Sequence, residues 1–148
     1  MSNLKAKILL ECKNILTLSL ENIRTAMHDA QTTANDYGMP KDRYDSFRTQ
    51  MLSKRDMFAQ QVQRTLDEIT LIEKIDPDLI CKTVVFGAVV KTTNQNMIIA
   101  TGLGKIIVDG ETFYSISTAV PIYKTIQGLK KGDSYSFQGK NYKIIDVL

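Results

Sequence analysis

Asn35-Asp36-Tyr37-Gly38-Met39-Pro40 stands between two long segments of helical periodicity. Asn and Gly accept the left-handed conformation that ends a helix, and Pro suits the first turn of the next. Upstream, Leu9, Cys12, Leu16, Ser19, Ile23, Ala26 and Ala30 alternate in spacings of three and four, with Leu20 and Met27 widening the stripe. Downstream, Met51, Phe58, Val62, Thr65, Ile69 and Ile72 resume a similar spacing beside Leu66, with the charged Arg55 intruding. A short link between two apolar seams makes them antiparallel neighbours. Two arms of about 30 residues, at about 1.5 Å rise per residue, would each reach roughly 45 Å. The spacing therefore predicts an antiparallel coiled-coil hairpin over residues 1–75. Its seam weakens towards the tip, where Gln31, Thr32 and Thr33 bring no large apolar group and Tyr44 and Phe47 offer some packing on the return arm.

The composition changes at Asp76-Pro77-Asp78. Residues 1–75 hold one of the eight Gly, Gly38, and the remaining 73 residues hold the other seven, a shift to turn-rich sequence that places a domain boundary here. Val84 to Lys91 and Met97 to Thr101 read as strands about the turn Asn94-Gln95-Asn96. Lys105 to Val108 and Thr112 to Ser117 flank Asp109-Gly110, the strongest hairpin signal in the chain. Pro121 then opens a short helix, in which Ile122, Tyr123 and Ile126 share a face and Gly128 supplies the stop. Ser134 to Phe137 and Tyr142 to Val147 close the chain as a last strand pair around Gly139. The expectation for 76–148 is a small antiparallel sheet carrying one short helix, so the fold class is α+β.

A domain of 148 residues needs no disulfide or metal staple, because a chain of this size buries roughly 68–70% of its unfolded surface. Lys plus Arg number 19 against 16 Asp plus Glu, a formal charge of +3, too slight for the sustained field of a protein that grips duplex DNA through many phosphates. Direct nucleic-acid contact is expected to be weak. The apolar stretch from Ile8 to Leu20 is broken by Glu11 and Lys13, which suits neither a secretory h-region nor a span of about 20 residues, so a soluble, cytoplasmic protein without membrane attachment is expected. Cys12 and Cys81 fit no zinc or disulfide spacing and read as two buried thiols.

Candidate chemistry is sparse. A nucleophilic triad needs an imidazole, and the single histidine, His28, reads as a solvated helix residue four positions after Arg24. Gly102-Leu103-Gly104-Lys105 resembles a phosphate-cradling loop only faintly: no Gly stands at the required earlier position, Ile106 replaces Ser or Thr, and a strand follows, so it reads as a turn. Asp67-Glu68 and Asp76/Asp78 read as solvated charges. Asp36, Asp42 and Asp45 crowd the hairpin end, where their oxygens suit a hard cation such as Mg²⁺ completed by a partner's ligands. The competing reading is that Asp42 and Asp45 occupy the first turn of the second helix, where acids suit the positive end of its dipole.

A helical hairpin followed by a small sheet ending in Gly128-Leu129-Lys130-Lys131-Gly132-Asp133 resembles the Gre family of bacterial transcript-cleavage and elongation factors. Val85-Phe86-Gly87-Ala88-Val89-Val90 is similar to the family's opening strand. Ile116-Ser117 leading to Pro121, Gly128, Gly132-Asp133 and the closing Tyr142-Lys143-Ile144-Ile145-Asp146-Val147 follows its later order. The resemblance implies an FKBP-like second half that docks on RNA polymerase at the rim of its secondary channel, with Gly128, Gly132 and Asp133 on the partner-binding side. The hairpin would enter the channel. It also implies a non-enzyme acting as a monomer, with no cofactor of its own beyond Mg²⁺ shared with the polymerase. In that family the tip reads Asp-Leu-x-Glu-Asn-x-Glu-Tyr, and its acids help position the catalytic metal. When Tyr44 is matched to the family's Tyr, the three acidic positions fall on Tyr37, Pro40 and Arg43. Asp36 and Asp42 lie beside the vacant places, and two outcomes stay open: stimulated cleavage, or occupancy of the channel alone. Two rivals from other classes are an FKBP-like peptidyl-prolyl isomerase, which needs a proline pocket lined by aromatics such as Phe86, Phe113, Tyr114, Tyr123, Tyr135, Phe137 and Tyr142, and a coiled-coil adaptor whose seam pairs with another chain.

Overall fold

A computed structural model of the chain describes residues 3–36 and 46–148. Among the described residues, two long helices, α1 (Asn3–Asp36) and α2 (Ser46–Glu73), precede six strands and one short helix. The described chain forms two compact units, one of residues 15–69 and the other of the residues up to 14 together with 70–148.

In the helical unit, the α1 seam is buried at Leu16, Leu20 and Ala30, and α2 buries Thr65, whose hydroxyl donates to the Gln61 carbonyl one turn back. Arg55, the charge that interrupts the α2 seam, donates from Nη1 to Gln31 Oε1 at 2.6 Å and from Nη2 to Asp56 at 2.8 Å. Ile23 and Ala26 of α1 line one hollow with Phe58 of α2. Residue 31 thus meets 55 while 23–26 meets 58, the order required of antiparallel helices folded back within one chain.

In the sheet unit the strands are β1 (Val89–Thr92), β2 (Asn96–Ile99), β3 (Gly104–Val108), β4 (Glu111–Ile116), β5 (Ser134–Phe137) and β6 (Lys140–Val147), with α3 (Pro121–Ile126) between β4 and β5. Their spatial order is β3-β4-β2-β1-β6-β5. Asp109 and Gly110 both take positive φ, 53° and 77°, and close the β3–β4 hairpin. One pairing departs from the antiparallel expectation: β2 runs parallel to β4, with Met97 opposite Tyr114 and Ile98 opposite Ser115. β4 inserts between β2 and β3, so the chain crosses to the sheet edge as β3 before returning. The apolar run from Val84 begins as strand only at Val89, because Gly87 turns the backbone with φ +91°.

Strand alternation separates two cores. On one face Val90, Met97, Ile99, Ile144 and Val147 pack with Tyr123 and Ile126 of α3 and with Tyr135. The opposite face carries Ile98, Ile106, Phe113 and Ser115, all buried. Cys12 of α1 hydrogen-bonds with Ser115, which places the first turns of α1 over this second face. Ile8 and Cys12 are accordingly fully buried, and Lys7 pairs with Asp109 at 2.9 Å where the β3–β4 turn meets α1. Lys13 and Glu73 join the two helices at the sheet end, 3.1 Å apart.

Candidate functional site

Asp36 is the last residue of α1, and its side chain, together with Asp42, Asp45 and the aligned Tyr37, Pro40, Arg43 and Tyr44, lies outside the described residues. Among the described residues no group of three or more His, Cys, Asp or Glu converges as a metal site. His28 is exposed, with Thr32 Oγ1 at 3.5 Å from its Nε2 one turn on, as a solvated helix residue should be.

The other three predicted residues, Gly128, Gly132 and Asp133, come together as one braced turn. Pro121 stands in the first turn of α3, and Gln127 closes the helix by donating to the Tyr123 carbonyl. Gly128 and Gly132 take φ of +80° and +92°, which a side chain would strain. Gly128 N–H donates to Val84 O at 2.9 Å, and Gly132 N–H donates to Ile144 O at 2.9 Å. Asp133 Oδ2 accepts the Lys130 amide at 3.0 Å, while its own amide donates to Lys130 O. The two glycines and the carboxylate therefore act on backbone geometry: they fold the turn tightly and leave Lys130 and Lys131 exposed on it. Exposed Lys124, Lys140 and Lys143 stand on the neighbouring α3 and β6, and of the acids among 121–148, Asp133 and Asp146 both cap backbone amides.

Sequence reasoning missed two buried polar arrangements. Lys5 is 4% exposed, and its Nζ donates to Leu79 O at 2.7 Å with Cys81 Sγ at 3.6 Å. Cys81 is half-buried rather than fully enclosed, a correction to the two-buried-thiols expectation that follows from its place in the irregular segment before Val84. Burial pushes the Cys12 thiol up to about 11, opposed by its hydrogen bond with Ser115 and supported by the Glu11 charge. On α2, burial likewise raises Glu68, with Arg64 pulling the other way.

Of the aromatics a proline pocket would use, Phe113, Tyr123 and Tyr135 are buried, Phe113 on the α1 side of the sheet and the two tyrosines in the α3 core, with Tyr135 and Tyr142 ring centroids 5.5 Å apart. No helix among the described residues is long and apolar enough to cross a membrane.

No family model matches the chain, and no curated protein matches it. Solved structures that are similar include two of one kind of protein. The GreA factor homolog 1 (Gfh1) protein of Thermus thermophilus has 18% identity and a TM-score of 0.35 over 92% of this chain and 94% of that one. A second structure, of the transcription factor Gfh1, has 17% identity and a TM-score of 0.34 over 91% and 92%. At these scores the likeness does not place the chain in a family.

Proposed function

We propose that this protein is a Gre-type transcription elongation factor that binds RNA polymerase through its sheet unit and modulates elongation with its helical hairpin. The observation that carries the reading is the ordered set Pro121, Gly128, Gly132-Asp133 and the closing strand, quoted above for its resemblance to the family, which folds here as one α3-turn-β6 element. Exposed Lys130 and Lys131 on that turn suit an acidic docking surface. The protein adds no covalent chemistry of its own. A carboxylate at the hairpin end would act by holding Mg²⁺ shared with the polymerase, which activates water for hydrolysis; without one, the hairpin would compete for channel entry alone.

Titration of the full chain against core RNA polymerase tests the reading. Saturable binding is expected, weakened at least tenfold by the double substitution Lys130→Glu and Lys131→Glu and falling as salt rises. Absence of binding by the intact protein would remove the proposal. Cleavage by backtracked complexes, compared for the parent, Asp36→Ala and Asp42→Ala, separates stimulation from channel occupancy.

A further inference from the structure

One open region of the sheet has no role in the reading above. Beyond the cover of α3, on the Tyr114 face, lies a hollow of about 570 Å³ lined by Thr92, Asn94, Gln95, Asn96, Lys105, Thr112 and Tyr114. Its volume falls within the roughly 300–1,000 Å³ usual for small-molecule sites, yet its lining is polar where such sites are mostly apolar. Every lining side chain carries a hydrogen-bonding group, and Lys105 is the single ionisable side chain among them apart from the weakly acidic Tyr114 phenol.

The groups are arranged and partly pre-committed. Lys105 lies directly opposite Tyr114 in the β3–β4 register, so ammonium and phenol share one face as cross-strand neighbours. Lys105 forms no ion pair among the described residues. The turn bearing Asn94 and Gln95 is fixed by Thr92, whose hydroxyl accepts both amides at 3.1 and 3.0 Å and donates to Gln95 O at 2.7 Å. Asn96 stands opposite Phe113 and so turns its side chain to the other face, where Nδ2 donates to Glu111 Oε2 at 2.9 Å and Lys91 meets the same carboxylate at 3.5 Å. The Glu111 charge is thus spent across the sheet from Lys105, and Asn94 and Gln95 supply the amides on the hollow's side. A cation with hydroxyl donors on one side, and the Asn94 and Gln95 amides on the other, matches a ligand that joins an anion to hydroxyl groups.

We propose that this hollow binds a small phosphorylated sugar, with Lys105, Thr112 and Tyr114 holding the phosphate and the Asn94 and Gln95 amides reading the sugar hydroxyls. The Gly104-Lys105 pair acts here as the start of a strand that carries a cation to the rim, where a phosphate loop would instead need a helix. The site does not depend on polymerase binding.

Amide chemical-shift titration of the full chain with ribose 5-phosphate, with inorganic phosphate and free ribose as separate arms, tests it. Ribose 5-phosphate should give saturable shifts confined to 92–96, 105, 112 and 114, at least tenfold tighter than either fragment. Lys105→Gln, an exposed strand substitution, should weaken binding at least tenfold with the rest of the spectrum unchanged, and Lys124→Gln on α3 should leave binding as it was. Absence of saturation at millimolar ligand, equal affinity for phosphate alone, or equal loss from the two lysine variants would each overturn the proposal.

Discussion

Lys5 Nζ, on the first turn of α1, donates to the main-chain oxygen of Leu79 at 2.7 Å and is almost wholly enclosed. No carboxylate is paired with it among the described residues. Removing a buried polar head while keeping its stem removes a desolvation penalty, whereas removing the stem leaves a cavity. Lys5→Met should change unfolding stability by less than about 1 kcal/mol, and Lys5→Ala should lower it by about 2 kcal/mol. Urea unfolding measures both, and a Met variant as unstable as the Ala variant would show that the bond to Leu79 O matters more than packing.

The Cys12 thiol gives the sheet unit a dependence on alkaline pH. Its folded pKa is raised to about 11 by burial, above the 9.0 of a free thiol. The folded state therefore holds the proton more tightly, so the stabilisation is complete below about pH 8.5 and is lost as pH rises towards the folded value. Urea midpoints measured from about pH 8 to about pH 10.5 should fall more steeply for the parent than for Cys12→Ala, by on the order of 1–2 kcal/mol. The same enclosure predicts that a thiol reagent labels half-buried Cys81 well before Cys12.

Gly87 should tolerate no side chain. Its φ is +91°, and a Cβ there would stand 3.2 Å from Ile75 Cγ2. Strain and overpacking add, so Gly87→Ala should cost about 2–4 kcal/mol. Pairing it with Ile75→Ala, which removes the crowding Cγ2 and Cγ1, should cost less than the sum of the two single substitutions.

Thr101 offers a change in the other direction. Its Oγ1 is buried with no hydrogen-bond partner among the described residues, while its carbonyl accepts Ser115 Oγ. Thr101→Val keeps the shape and removes the stranded hydroxyl, so thermal unfolding should shift upward, by about 1 kcal/mol in stability.

Signals with a local cause were legible in the sequence. The two seams gave α1 and α2, Asp109-Gly110 gave its hairpin, Pro121 gave the α3 start, and Ser134–Phe137 has the strand bounds expected of it. What escaped depends on distant residues. Periodicity in α1 marks Cys12 as buried but cannot say that its neighbour is Ser115, more than a hundred positions on. The parallel β2–β4 pairing has no mark of its own: β2 is apolar throughout from Met97 to Ile99 while β4 alternates, and neither pattern names a partner strand or its direction. The same holds for the candidate sites. Gly128, Gly132 and Asp133 stand in one six-residue run and were visible together, whereas the polar hollow draws on the β1–β2 turn, β3 and β4, so its lysine read only as the end of a Gly-rich turn.

The insertion of β4 between β2 and β3 constrains the order of assembly. The β3–β4 ribbon can form early, since two residues close it, but it must then slot as a finished piece beside β2. Ser115 on that inserted strand lies against Cys12, so the burial of α1's opening turns draws on partners more than a hundred residues away, and refolding should be paced by long-range closure rather than by helix growth.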